Sequence, residues 1–166
     1  GHCFVVDERS KCKFGEKIRK TVAVVGGNTS DVSRIRPLYY GVLGVANELG
    51  VPMLYDFANK GKMCKYEKGQ VIDIENLERD EDSVYYTVGP GKKLFVAKIN
   101  SARKFMMAIP ISCNGKLVGG ITFDFTGEEF NDNEEFAKSK CEEAFNVCSD
   151  VAEDLALAYF NKKRVF

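Results

Sequence analysis

The chain has 166 residues, 45% of them hydrophobic, with 24 Lys and Arg against 24 Asp and Glu, enough length and apolar content for one domain with its own core. Balanced charge gives no global field for nucleic acid or an anionic membrane. No apolar run approaches the roughly 20 residues that span a bilayer and nothing resembles a signal peptide, so a cytoplasmic protein is expected, with no direct nucleic-acid contact and no membrane contact within this segment.

Gly1 and His2 read as the scar of an expression tag, with a single domain over residues 3–166. Without His2 the chain has no histidine, which weighs against most hydrolases and metal sites. The six cysteines, Cys3, Cys12, Cys64, Cys113, Cys141 and Cys148, show no C-x-x-C spacing, so reduced thiols and no metal are expected. Cys141 and Cys148 fall on one predicted helix, roughly 10 Å apart along its axis, too far to bridge each other within it.

In chain order, residues 3–6 predict a strand, 7–16 a turn, and 18–25 a second strand ending at Gly26-Gly27, a plain turn with no phosphate-loop pattern after it. Residues 28–31 offer N-cap chemistry to a helix over 34–49, with Pro37 in its first turn, an apolar patch of Leu38, Val42, Val45, Ala46 and Leu49, and Gly50 closing it at C′. A strand follows over 51–57, entered through Pro52. Residues 58–82 are polar and weakly patterned and read as a solvated loop or helix face, with an acidic run over 73–82. A basic stretch over 92–104 follows Tyr85-Tyr86 and a turn at Gly89-Pro90-Gly91. The acidic and basic stretches either pair with each other or leave the basic one for an anionic ligand.

Residues 106–125 are the most informative segment. Two apolar runs hinge on Asn114-Gly115, a pair that accepts positive φ at both centres of a type I′ turn, so a β-hairpin is expected. Its second strand alternates Ile121, Phe123 and Phe125 with Gly120, Thr122 and Asp124, which makes one face apolar and the other small and polar. A final helix spans about 133–163. Its stripe of Cys141, Phe145, Cys148, Ala152, Leu155 and Tyr159 suits either packing on the domain's own sheet or a coiled-coil seam with a second copy.

This order resembles the GAF domain, a small-molecule sensor module of signalling proteins. The matching pieces are residues 22–27 (VAVVGG), 35–56 (IRPLYYGVLGVANELGVPMLYD) and the hairpin over 107–125. The resemblance implies an α+β fold of the profilin/PAS-like kind: a central antiparallel sheet, helices on one face, and a loop-roofed pocket on the other, with residues 58–104 supplying the roof. The opening helix common in the family is missing. The signature of cyclic-nucleotide-binding members is absent, residues 130–135 being a loose echo, and the lack of a natural His argues against covalent bilin attachment. Members that reduce free methionine sulfoxide use clustered cysteines and tryptophan motifs, and this chain has no Trp.

The function expected is therefore non-catalytic: a regulatory domain that binds an unidentified small molecule, with no cofactor named, and transmits through its terminal helix as a homodimer. The alternatives are a dimerisation module with a filled pocket and a thiol enzyme of the sulfoxide-reductase kind. Candidate ligand contacts are Asp56, Thr122 and Asp124 at strand positions, and Tyr85, Tyr86 and Phe95 as aromatic surface. Cys64, beside Lys65, and Cys113, beside the hairpin turn, are the candidate redox thiols.

Overall fold

Strand pairing across distant parts of the chain organises the fold, seen in a computed structural model that describes residues 1–11, 15–24, 26, 29–57, 61–99, 103, 105–125 and, near the C-terminus, 139, 142–143, 145–147, 150–154, 157–158 and 161. β1 (His2–Lys11) and β2 (Lys17–Val24) form the first hairpin, with β1 running on to Lys11 where a turn was expected after Val6. After a 3-10 turn at Thr29–Asp31 comes β3 (Ile35–Pro37), which pairs with β2 at the sheet edge. The helix expected over 34–49 thus gives up its first seven positions, three of them to β3, and α1 spans Gly41–Leu49. Pro37 ends an edge strand, a place where its missing N–H costs no ladder bond in the sheet interior. Tyr40 occupies the N-cap with no side-chain hydrogen bond, so residues 28–31 do not cap α1, whereas Gly50 closes it in the left-handed conformation (φ 68°) as expected.

β4 (Met53–Asp56) follows Pro52, and β5 (Lys62–Glu67), β6 (Gln70–Ile74) and β7 (Leu77–Arg79) occupy the stretch expected to be a loop or helix face. The turn between β5 and β6 is Lys68-Gly69, with φ of 53° and 76°. This is the two-residue hairpin geometry usually signalled by Asn-Gly, and a Lys at its first centre hides it. β8 (Ser83–Gly89) and β9 (Lys92–Lys98) flank the predicted Pro90-Gly91 turn. β10 (Phe105–Cys113) and β11 (Lys116–Phe125) form the predicted hairpin, with Asn114 and Gly115 at φ 52° and 71° and Cys113 paired with Lys116.

Eight strands make one antiparallel sheet in the order β3-β2-β1-β11-β10-β4-β5-β6, and β7-β8-β9 form a second, three-stranded sheet. Alternation along the strands sorts side chains to two faces. On one face Phe4, Met53, Tyr55, Met63 and Ala108 join Val42, Leu43, Val45 and Ala46 of α1 and Val84, Leu94 and Val96 of the small sheet. On the other, Leu54, Met107, Ile109, Ile111 and Ile121 meet Phe145 and Ala152.

Phe145 and Ala152 belong to the C-terminal stretch, where every described residue from 139 to 161 is helical. Phe145 is buried and stacks on Tyr66 of β5 (4.9 Å, 15°), and the Tyr66 hydroxyl donates to Asn146 Oδ1 at 2.9 Å. These two members of the predicted apolar stripe therefore pack on the domain's own sheet. Cys141, Cys148, Leu155 and Tyr159 lie outside the described residues, as do residues 133–138 and 162–163 of the expected helix. The α+β fold that the GAF resemblance implies is present: a central antiparallel sheet, the terminal helix on one face and a roofed space on the other. The roof consists of α1 and the small sheet, where loops were expected.

Candidate functional site

The roof does not cover the sheet evenly. α1 lies over β10 and β4 and against β9, and its close approach is permitted by Gly120, where an added Cβ would come within 2.7 Å of Leu43 Cδ1. Toward β1, β2 and β3 the cover ends, leaving a cavity of about 330 Å³, at the small end of the range for small-molecule pockets. The sheet supplies its floor from Phe4, Arg19, Thr21, Thr122 and Asp124, while the first turn of α1 and residues 95–98 of β9 form the opposing wall.

Arg19 is the distinctive group. It sits among the apolar residues of β2 with 6% of its surface exposed. One guanidinium nitrogen donates to the Leu38 carbonyl at 3.1 Å and another to the Tyr40 carbonyl at 2.7 Å, while the guanidinium lies 5.1 Å from the Phe4 ring centroid. Its Nε is buried with no hydrogen-bond partner among the described residues. Burial, reinforced by the charge of Arg36, pulls its pKa down to about 10. Desolvation also lowers the pKa of Arg36, with Arg34 and Arg103 acting in the same direction, so the guanidinium groups stand close enough to repel one another.

The lining holds five cationic side chains, Arg19, Arg34, Arg36, Lys98 and Arg103, against two carboxylates, Asp31 and Asp124. Asp31 accepts from Arg34 at 2.7 Å and lies 3.4 Å from His2 Nε2, and the Arg34 hydrogen bond chiefly holds its carboxyl below the usual range. Asp124 Oδ2 is 3.4 Å from Arg103 Nε, whereas its Oδ1 is buried with no hydrogen-bond partner among the described residues. Lys98 pairs with Asp82, outside the cavity. Among the described residues, neither Arg19 nor Arg36 has an ion-pair partner.

Of the six candidate ligand contacts, Phe95, Thr122 and Asp124 line the cavity. Tyr86 is buried in the core and Tyr85 packs edge-on against Phe95 at 6.1 Å. Asp56 lies at the end of β4, opposite Lys62 and Phe105, and its neighbour Phe57 reaches the cavity instead. His2, read as a tag residue, opens β1 opposite Val24 and Thr122 and lines the same space. Two pairs join the acidic and basic stretches, Glu78 with Lys93 and Asp82 with Lys98, whereas Lys92 pairs with Glu48 and Arg103 with Asp124.

Cys64 occupies a setting opposite to the one expected. Lys65 pairs with Glu67 at 2.6 Å, and the Cys64 thiol donates to Asp73 Oδ1 at 3.2 Å. Burial, then that carboxylate, pushes the thiol up to about 12, away from the thiolate that redox sensing needs. Cys113 ends β10 as a half-buried free thiol packed beside the cluster under the terminal helix. Cys12, Cys141 and Cys148 lie outside the described residues, and among the described ones no group of His, Cys, Asp or Glu could hold a metal ion.

Sequence reasoning passed over Arg19 and Arg36. The available signal was Arg19 and Thr21 two apart on a strand, sharing a face, with Ile18 as apolar neighbour; both are buried. Arg36 was assigned to a helix and so could not be placed beside them.

No family model matches this chain, and no curated protein does. Among solved structures it is similar to the phycoerythrobilin-bound GAF domain from a cyanobacterial phytochrome, at 11% identity and a TM-score of 0.46, over 97% of this chain and 79% of that one. At that level the likeness carries nothing about a ligand for this chain.

Proposed function

We propose that this chain is a non-catalytic, small-molecule-binding regulatory domain whose ligand sits in the cavity between the sheet and α1. The observation that carries the reading is the cavity itself, lined by Arg19 and Asp124, each of which has a buried polar atom, Nε and Oδ1, with no hydrogen-bond partner among the described residues. Native proteins rarely leave such atoms unsatisfied, and a molecule bound against these two side chains is one way to supply partners. A ligand bridging β2, β11 and β9 would tie roof to floor. Any signal would depend on how differently it binds two arrangements of these elements, and the terminal helix, packed on the reverse of the same sheet, is the natural output.

That helix also carries a second, outward set of apolar residues, Val147, Val151 and Leu157, all exposed. They favour association of two copies through the helix, alongside the packing of Phe145 and Ala152 on the domain's own sheet.

A thermal-shift screen of metabolites tests the ligand reading. A ligand at a hundred times its Kd adds about 2.7 kcal/mol, a rise of several degrees for a chain of this size. A hit that is lost in Thr122→Leu, which narrows the cavity, places binding there. If no compound raises the Tm, the pocket reading fails and the dimerisation module remains.

A further inference from the structure

We propose that the ligand is a small organic acid whose carboxylate or phosphate faces Arg19 and Arg36 and whose hydroxyl or amine donates to Asp124 Oδ1. This rests on the pocket reading above and assigns the chemical class that the site takes. A guanidinium removed from water without a counter-anion is costly, and among the described residues the buried Arg19 contacts neutral carbonyls and the Phe4 ring and has no ion-pair partner. Those contacts hold the guanidinium plane in place and leave Nε over. A planar, pre-oriented guanidinium is suited to the oxygens of a carboxylate or phosphate. Arg36 adds a second positive charge without an ion-pair partner among the described residues; burial first, then neighbouring guanidinium groups, lowers the pKa of both.

Cation-lined walls would accept any anion that fits; Asp124 narrows the choice. A buried carboxylate oxygen without a donor repels a simple dianion and rewards a molecule that brings its own N–H or O–H. Part of the remaining surface is apolar: Phe57, Phe95 and Met106 line the cavity, and Tyr40 stacks on Phe95 at 4.7 Å, which suits a flat body beside the polar groups. The volume of about 330 Å³ limits that body to metabolite size.

Isothermal titration of the full chain with four matched probes tests the assignment: 4-hydroxybenzoate, benzoate, phenyl phosphate and 4-hydroxybenzamide. The expected result is at least tenfold tighter binding of 4-hydroxybenzoate than of its neutral amide, with phenyl phosphate against benzoate deciding between phosphate and carboxylate. Arg36→Gln, on an edge strand, should weaken the acid probes at least tenfold and leave the amide unchanged; Arg19→Gln should do the same if it folds. Asp124→Asn should erase the advantage of 4-hydroxybenzoate over benzoate. An amide that binds as tightly as the acid, or acid affinity untouched by Arg36→Gln, overturns the ligand class while the pocket reading stands on its metabolite hits. Failure of all four probes to bind overturns the class as well, and the thermal-shift screen then decides the pocket reading by itself.

Discussion

Arg19 is a charge that the fold buries at a cost. Its pKa in the folded chain is about 10 against an ordinary 12.5, so between those values the unfolded chain holds a proton that the folded chain has released, and stability rises with pH across that window. At neutral pH the charge therefore opposes folding. Among the described residues no carboxylate offsets that charge, and its acceptors are the Leu38 and Tyr40 carbonyls. Cys64 makes the reverse case, since its thiol is held protonated by burial and by Asp73. In the folded protein at pH 8, iodoacetamide should alkylate Cys64 much more slowly than it does in urea, and Asp73→Asn should speed the reaction by removing the neighbouring negative charge; mass spectrometry of timed samples reads both. Fast labelling of Cys64 in the native chain would restore it as a redox candidate. Neither environment was legible from neighbours in sequence. Lys65 stands next to Cys64 in the chain but turns to Glu67, while Asp73 arrives from the adjacent strand.

At the scale of elements, turn chemistry was the most readable part of the chain. Asn114-Gly115 specified its hairpin because both residues tolerate positive φ. Gly115→Val should therefore lower stability by about 1–2 kcal/mol, the cost of a side chain in the left-handed region, as read from urea unfolding. Lys68-Gly69 makes the same kind of turn without the same signal, so β5 and β6 fall where a solvated loop or helix face is expected. The terminal helix carries a sharper prediction, because its two apolar sets have different partners. Phe145→Ala should cost about 3–5 kcal/mol, the usual range for a buried aromatic. The double variant Val147→Glu, Val151→Glu should leave the Tm nearly unchanged and convert a dimer to monomer in light scattering. A large loss of Tm in the double variant would place those residues in the core, and an unchanged mass would remove the helix as an interface. Leu155, a more obvious target from the stripe alone, lies outside the described residues.

For the whole molecule, charge acts through local pairs, since the totals cancel. Lys93 and Lys98 hold the carboxyls of Glu78 and Asp82 below their ordinary values of 4.5 and 3.8. The stability contributed by such groups is complete above those values and is lost as the pH falls through the depressed ones. Acid unfolding should therefore steepen below about pH 4.5, and Glu78→Gln with Asp82→Asn should flatten that limb; an unchanged acid limb would show that these exposed pairs contribute nothing to it. By itself the sequence determined the local grammar of this protein: one domain's worth of core, the β10–β11 hairpin, the Gly50 stop of α1, and the split of β11 into an apolar and a small polar face. All of these depend on residues within a few positions of one another. The tertiary structure alone decided what the polar face meets. Arg19 comes from β2, Arg36 from an edge strand read as helix, Phe95 from a sheet read in part as loop, and Asp124 from the far end of the chain. A cavity is defined by what packing leaves uncovered, and it requires every neighbouring element to be placed before its charge and its empty hydrogen-bond positions exist.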